Sequence, residues 1–499
     1  MNYRRAKHSL LPTAVAADEA AALIRHGMTV AMSGYAMAGY PKAVVDALVE
    51  RTRNGEALSI NLVTGANVPW LDDKLGAAQI IARRAPMCAS RTLASRINEG
   101  AVRLVEQQMN RMPALLRTGR LGRIDIAVVE ALGFDRNGDL IPTSSVGMTH
   151  HLMNAAESII VEVNSAQPET LIGLHDVYTP QPPPATQPIP LVRTNQRIGG
   201  TSIPVDRGKV RCVVQTHIPE RLAAGPGGTQ ETSRIADHLF NFLELEYCEA
   251  GGALPPLQLG FGGIANAVAR AFQRSAFRDL QFFCGGVTED VLELLASAKA
   301  SAVSTAGLGI SERVEQILEQ LRSPADGLVI RSGDITNNAE VIGRLGVVAL
   351  NTGIEMDIYG NVNSSHIAGS RVVNGIGGGA NFAQNAGLAV ILIPSTARSG
   401  SISNIVPMVS HQDIGEHDID VVVTENGAAD LRGLDDAERA DAIIHRCASP
   451  LYREQLQRYL GNAREQCGGH HPQLPQEAFG WYRRLKQTGT MLEQHDDQG

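Results

Sequence analysis

The 499 residues exceed what a single hydrophobic core supports, so at least two domains are expected. Hydrophobic residues make up 43% and charged residues 19%, which excludes a disordered or fibrous chain. A net charge of −8 with no basic block excludes nucleic acid as an expected partner, and no run of 18 apolar residues proposes a membrane span.

The first residues, MNYRRAKHSLLPTAVAADEA, lack the apolar segment of a signal peptide, so a cytoplasmic protein is expected. The six cysteines (Cys88, Cys212, Cys248, Cys284, Cys447 and Cys467) are scattered and form no CxxC pair, so reduced thiols and no structural zinc are expected. Cys467-Gly-Gly-His470-His471 reads as a surface tail, and no metal ligands are assigned.

Short β-branched strands alternate with helical stretches along the whole chain. In order, strands are expected at 28–34, 59–65, 124–131, 158–164 and 210–216, then at 257–263, 280–286, 300–306, 328–333, 347–353, 388–395 and 418–427. Continuous apolar runs ending in Gly or Asn suit buried parallel strands with loops at their carboxyl ends. The fold class is α/β, with two open sheets covered by helices. Between the halves, YTPQPPPATQPIPLV (178–192) is too rich in proline for helix or central strand, and 178–206 reads as a surface arm of the first domain. The boundary is placed in RLAAGPGGTQETS (221–233), dividing 1–222 from 223–499, with a helix beginning near Ser233.

Two glycine loops carry the first chemical signal. LGFGGIANAVARAF (259–272) is strand, turn and helix, and Gly260, Gly262 and Gly263 allow a ligand close to the backbone. The helix from Ile264 aims free N–H groups at phosphate or a developing oxyanion. NGIGGGANFAQNA (374–386) repeats the pattern with Gly375, Gly377, Gly378 and Gly379, but misses both the P-loop and the dinucleotide fingerprint. Two such loops in one domain suit an extended ligand with several phosphates, or a thioester carbonyl that needs backbone donors. The blander reading of each is a tight turn with no ligand.

GFGGIANAV, NGIGGGANFAQNA, PSTARSGSISNIVPMVSH and DIDVVVTENGAADLRGL resemble the acetyl-CoA hydrolase/transferase family. The first half is similar too, in SGYAMAGYPKAV, LGRIDIAVVEA, IPTSSVG and LIGLHDVY. The resemblance implies two related open α/β domains of the CoA-transferase type, with the active site at their interface. It implies a coenzyme A thioester as substrate, no tightly bound cofactor, an acyl-CoA and a small-molecule acceptor as partners, and a homodimer or larger homo-oligomer. Gly260, Phe261, Gly262, Gly263 and Ile264 match the first CoA loop; Gly378 and Phe382 fall in the second. Asn337 matches an oxyanion-supporting Asn, and Arg398 stands where a Lys near the CoA is usual.

The family's nucleophile is a glutamate in an aromatic-Ser/Thr-Glu-Val turn. Set without gaps against FRDLQFFCGGVTEDVLELL (277–295), that glutamate falls on Gly285 and the preceding Ser/Thr on Cys284. A rival register makes Glu289 the nucleophile, at the cost of four residues shifted across the turn. Met87, Cys88, Asn67 and Met148 also depart from the family pattern, all on the acceptor side. Three candidates for the missing chemistry stay open: the Cys284 thiol as replacement nucleophile, Glu289 in the rival register, and His150 or His151 as general base. The expected function is acyl transfer from CoA to water, an amine, an alcohol or a carbon nucleophile. The alternatives are an ordinary carboxylate CoA-transferase using Glu289, or a non-catalytic CoA-binding protein.

Overall fold

The computed structural model describes residues 14–220, 228–248, 253–321 and 327–493. Two large sheets organise them. The first has eight strands, in the order Ala14–Val15, Val210–Thr216, Ala156–Asn164, Ile124–Ala131, Thr29–Met32, Ile60–Thr64, Ile81–Ala85, Arg103–Leu104, and every neighbouring pair is parallel. The second has nine, in the order His175–Asp176, Leu328–Arg331, Ala300–Thr305, Leu280–Cys284, Leu257–Leu259, Val348–Thr352, Leu388–Leu392, Val421–Thr424, Gly427–Asp430. Only its last pair is antiparallel.

Each strand expected from the apolar runs is present; Ile124–Ala131, Ala156–Asn164 and Val210–Thr216 reach their expected carboxyl ends, and the others stop short of them. The strand Ile81–Ala85 was not expected, because IARRA carries two arginines. Arg84 is nevertheless fully buried, its Nε donating to Asp72 Oδ1 at 2.6 Å. A charge can enter a strand in this way when a partner on the covering helix, here Pro69–Ala77, meets it.

The first strand of the second domain's helical layer is preceded by the helix Gln230–Leu243, which starts three residues before the expected Ser233. The Thr229 side chain accepts from Thr232 N, and Thr232 reciprocates to Thr229 N, so the capping pair sets the start. Residues 221–227 of the expected boundary lie outside the described residues.

The proline-rich arm reaches across to the second sheet. His175–Asp176 leaves the first domain and pairs in parallel with Leu328–Arg331 of the second sheet. The arm then packs on the second domain, where Ile189 and Leu191 are buried with Phe283, Ile335, Val341, Ile342 and Phe382. Prolines stop the segment from pairing further, but isoleucine and leucine between them still seek apolar cover. Arg331 anchors the crossing. It is fully buried, pairs with Asp176, and donates to Ser304 Oγ and to the Thr194 and Gln196 carbonyls of the arm. Burial pulls the Arg331 guanidinium down to about 10, with the Asp176 charge opposing the shift. Among the described residues, no helix is long and apolar enough to cross a membrane.

Candidate active site

In the second sheet, the chain runs outward from Leu257–Leu259 through Leu280–Cys284, Ala300–Thr305 and Leu328–Arg331, then returns to Val348–Thr352 on the other side of Leu257–Leu259. That reversal opens a crevice beyond the carboxyl ends of Leu257–Leu259 and Val348–Thr352, the usual ligand position in an open α/β sheet. A cavity of about 290 Å³ occupies it. Gly260, Phe261, Gly285, Gly286, Asn337 and Gly378 of the second domain line it. Tyr35, Asn67 and Met109 of the first domain close it from the other side.

The second glycine loop is pinned to the first domain. Ile376 N donates to Glu106 Oε1 at 3.0 Å and Asn381 Nδ2 to Gln108 Oε1 at 3.0 Å. A Cβ at Gly375 would lie 2.8 Å from Met87 Cβ, so the loop can sit this close to Met87 only as glycine. The first loop is shaped by Gly262, whose φ of +119° at the cap of the helix Gly263–Arg274 suits glycine. The Phe261 ring lies against Gly286, where a Cβ would come within 2.3 Å of it.

Tyr35, at the end of the strand Thr29–Met32, reaches across the domains. Its Oη donates to Asn337 Oδ1 at 2.9 Å, and Thr336 Oγ1 donates to the same oxygen at 3.0 Å. Two hydroxyl donors on one oxygen settle the orientation of the amide. Asn337 Nδ2 then faces Gly378, where a Cβ would stand only 2.5 Å away, and it has no hydrogen-bond partner. A buried, oriented and unsatisfied N–H donor lining a cavity is what a developing oxyanion requires. Burial pushes the Tyr35 phenol well above its ordinary range; the Thr336 hydrogen bond opposes the rise and the Asp334 charge adds to it. The phenol therefore stays protonated and acts as a donor.

Gly285 faces this pair. A Cβ there would meet Tyr35 Oη at 3.1 Å and Asn337 Oδ1 at 3.3 Å. The seat that the gap-free alignment gives to a glutamate thus opens on the cavity and carries no side chain.

Residues 4–215 match the profile of the acetyl-CoA hydrolase/transferase N-terminal domain, and residues 315–460 that of the C-terminal domain. The chain belongs to the acetyl-CoA hydrolase/transferase family. Over 484 residues it is 37% identical to the succinyl-CoA:acetate CoA-transferase of Clostridium kluyveri, covering 96% of this chain and 90% of that protein. It is 35% identical to the acetyl-CoA hydrolase of Eremothecium gossypii, covering 95% of each. In fold it is similar to RipA from Yersinia pestis, with a TM-score of 0.71 at 21% identity, covering 92% of this chain and 98% of that one. This member of the family is therefore an enzyme with the CoA-transferase fold, and the non-catalytic alternative is set aside.

Within that family frame, the structure separates the expected site residues. Gly260, Phe261, Gly285, Asn337, Gly378 and Phe382 line the cavity, while Gly262, Gly263 and Ile264 open the adjoining helix. Four candidates stand apart. Cys284 does not face the cavity. Successive strand residues point to opposite sides, so its Sγ turns into the sheet, 3.6 Å from Leu257 O, and burial pushes the thiol up to about 12. Glu289 is exposed at the start of the helix Glu289–Ala296, accepts from Ser311 Oγ at 2.6 Å and does not line the cavity. His150 is buried on the helix Thr149–Ala155 away from the cavity lining; burial, helped by the His151 charge and opposed by Asp334, holds its pKa down to about 3. Arg398, at the tip of the hairpin formed by Thr396–Ala397 and Ile402–Ser403, is exposed and does not line the cavity.

Cys284→Ala is expected to leave turnover within about twofold of the native enzyme, since a buried neutral thiol is a packing group. Iodoacetamide should leave Cys284 unmodified in the folded protein. Loss of turnover in a folded Cys284→Ala protein, or rapid alkylation, would restore the thiol as nucleophile.

Tyr35 was missed by sequence reasoning. It sits in SGYAMAGY directly after a parallel strand, and that position was the available signal. Its partnership with Asn337, 302 residues away, left no trace in the sequence.

Proposed function

We propose that this enzyme binds an acyl-CoA and passes the acyl group directly to an acceptor other than a simple carboxylate, with no glutamyl-CoA intermediate. One observation carries the reading: among the described residues that line the cavity, Tyr35 is the only titratable side chain. No carboxylate, thiol, imidazole or amine lines the cavity; its aliphatic hydroxyls are those of Thr352 and Ser364, and Ser364 Oγ already donates to Asp413 Oδ2 at 3.0 Å.

The glycine loops 260–263 and 375–379 would hold the CoA side, with its thioester carbonyl beside Asn337. The acceptor attacks that carbonyl carbon, and negative charge grows on the oxygen, where Asn337 Nδ2–H can meet it. Collapse expels the CoA thiolate. The lining offers no base for the acceptor's proton, so an acceptor that is nucleophilic while uncharged is favoured, an amine foremost. In that case the proton of the new ammonium passes through water to the departing thiolate, giving an amide and free CoA.

Mass spectrometry after incubation with a panel of acyl-CoAs, with borohydride or hydroxylamine as traps, tests the reading. The expected result is acceptor-dependent CoA release with no CoA adduct on any glutamate. A glutamyl-CoA adduct in the native enzyme would sink it. Gly285→Glu supplies the control. The φ of Gly285 is outside the left-handed region, and Tyr35 need yield only a few tenths of an ångström to a Cβ. The new carboxylate should lose native turnover and form a trappable CoA adduct at position 285.

A further inference from the structure

We propose that His150, His151 and Asp334 form a binding site for a divalent transition-metal ion that joins the two domains behind the active-site cavity. The inference does not depend on the identity of the acyl acceptor.

The three donors converge from separate parts of the chain. The imidazoles come from the helix Thr149–Ala155 of the first domain, and the carboxylate from the turn Gly333–Thr336 of the second. One ligand atom from each lies within 4.8 Å of the others. His151 Nε2 is 2.9 Å from Asp334 Oδ2, and His150 Nε2 is 3.9 Å from Asp334 Oδ1. Zinc bonds of about 2.0–2.2 Å in a tetrahedral site hold neighbouring donors about 3.3–3.6 Å apart. The two observed imidazole–carboxylate spacings bracket that value.

Hydrogen bonding points the same way. His150 is 2% exposed and Asp334 8%, yet both ring nitrogens of His150 and Asp334 Oδ1 have no hydrogen-bond partner. Buried polar atoms are seldom left unpaired, and His150 Nε2 and Asp334 Oδ1, 3.9 Å apart, call for a common partner. A cation between them satisfies His150 Nε2 and Asp334 Oδ1 together. The two imidazole rings stand 3.8 Å apart at 41°, bringing their nitrogens to the same carboxylate. Two imidazoles and one carboxylate suit zinc and its neighbours; magnesium and calcium prefer oxygen donors throughout. His151, 13% exposed, also borders a separate cavity of about 440 Å³ with Pro113, Leu116, Asn154 and Pro180, which gives an ion a route from solvent.

The position gives the site its consequence. Gly333 N donates to Gly147 O at 2.8 Å, so the two ligand-bearing segments already touch. Asn337 follows the turn that carries Asp334, and an ion there would fix the turn that sets Asn337 against Tyr35. Bound metal should therefore stabilise the folded chain in proportion to the logarithm of its concentration.

The test uses full-length, tag-free protein stripped with EDTA. Equilibrium dialysis against Zn²⁺ should give one ion per chain and a raised melting temperature. Co²⁺ should show the visible bands of a nitrogen–oxygen site without thiolate charge transfer. His151→Gln and Asp334→Asn should each weaken binding by at least about 100-fold, whereas His471→Ala should leave it unchanged. His471 is the control because it belongs to a second cluster, with Glu416 and Asp436, where its Nδ1 already bonds Asp436 at 2.6 Å. No ion at micromolar free Zn²⁺, or an ion kept in His151→Gln and lost in His471→Ala, overturns the proposal. Should a ligand variant fail to fold, zinc-edge anomalous diffraction from native crystals decides: the peak must lie between His150 and Asp334.

Discussion

Asn337→Ala is expected to lower kcat by about 10²- to 10³-fold, the usual effect of removing one oxyanion donor, with KM for the acyl-CoA changed far less. The amide is fully buried, and its oxygen is engaged by Tyr35 Oη and Thr336 Oγ1. Its Nδ2 is left free at the cavity. Such a donor contributes most when negative charge has developed, so its loss belongs in kcat. Tyr35→Phe separates orientation from donation. It removes one of the two hydroxyls holding the amide but keeps Nδ2, and should cost only about tenfold by loosening the donor. Steady-state kinetics on both variants, with folding checked by circular dichroism, provides the measurement. An Asn337→Ala enzyme within a fewfold of native kcat would remove the oxyanion role. A Tyr35→Phe enzyme slower than Asn337→Ala would move the chemistry to the phenol.

Asp176→Ala should destabilise the protein by about 3–5 kcal/mol, because it strands the buried Arg331 guanidinium without its counter-charge. Asp176 also accepts Ile198 N at 2.9 Å and Gly199 N at 2.7 Å, so the arm loses its anchor together with the ion pair. In urea the unfolding midpoint should move to lower denaturant. The double variant Asp176→Leu/Arg331→Met removes both charges and should recover much of the loss, since apolar replacement of a complete buried pair is often neutral. A single variant as stable as native would show that water already reaches the guanidinium.

The α/β class was legible because buried parallel strands must be apolar along their length. Leu388–Leu392 (LAVIL), buried at every position of the second sheet, is the clearest example. The glycine loops were legible for a related reason, since a positive φ at 262 and the close approach of Asn337 at 378 each disfavour a side chain. Ile81–Ala85 was hidden because the partner of Arg84 lies on another element. The packing of the arm on the second domain was hidden because proline content reports what a segment cannot form and is silent about what it packs against. Cys284, Glu289 and His150 stayed open in sequence because spacing specifies neighbours along the chain but not the direction of a side chain. The direction of Cys284 is set by the pleat, that of Glu289 by the helix it starts, and that of His150 by burial against the second domain.

By itself the sequence determined two open α/β domains and a pair of glycine loops suited to a CoA thioester, and it raised the expectation of Gly285 where the family has its glutamate. Those features are local: hydrophobic period, turn chemistry and an ordered series of motifs. Only the tertiary structure decided that Gly285 opens on Tyr35 and Asn337, that Cys284 turns into the sheet, and that Glu289 stays on the surface. It alone brought His150 and His151 to Asp334. Each of these facts depends on segments separated by tens to hundreds of residues meeting across a domain interface, and that meeting is set by how whole sheets and helices pack.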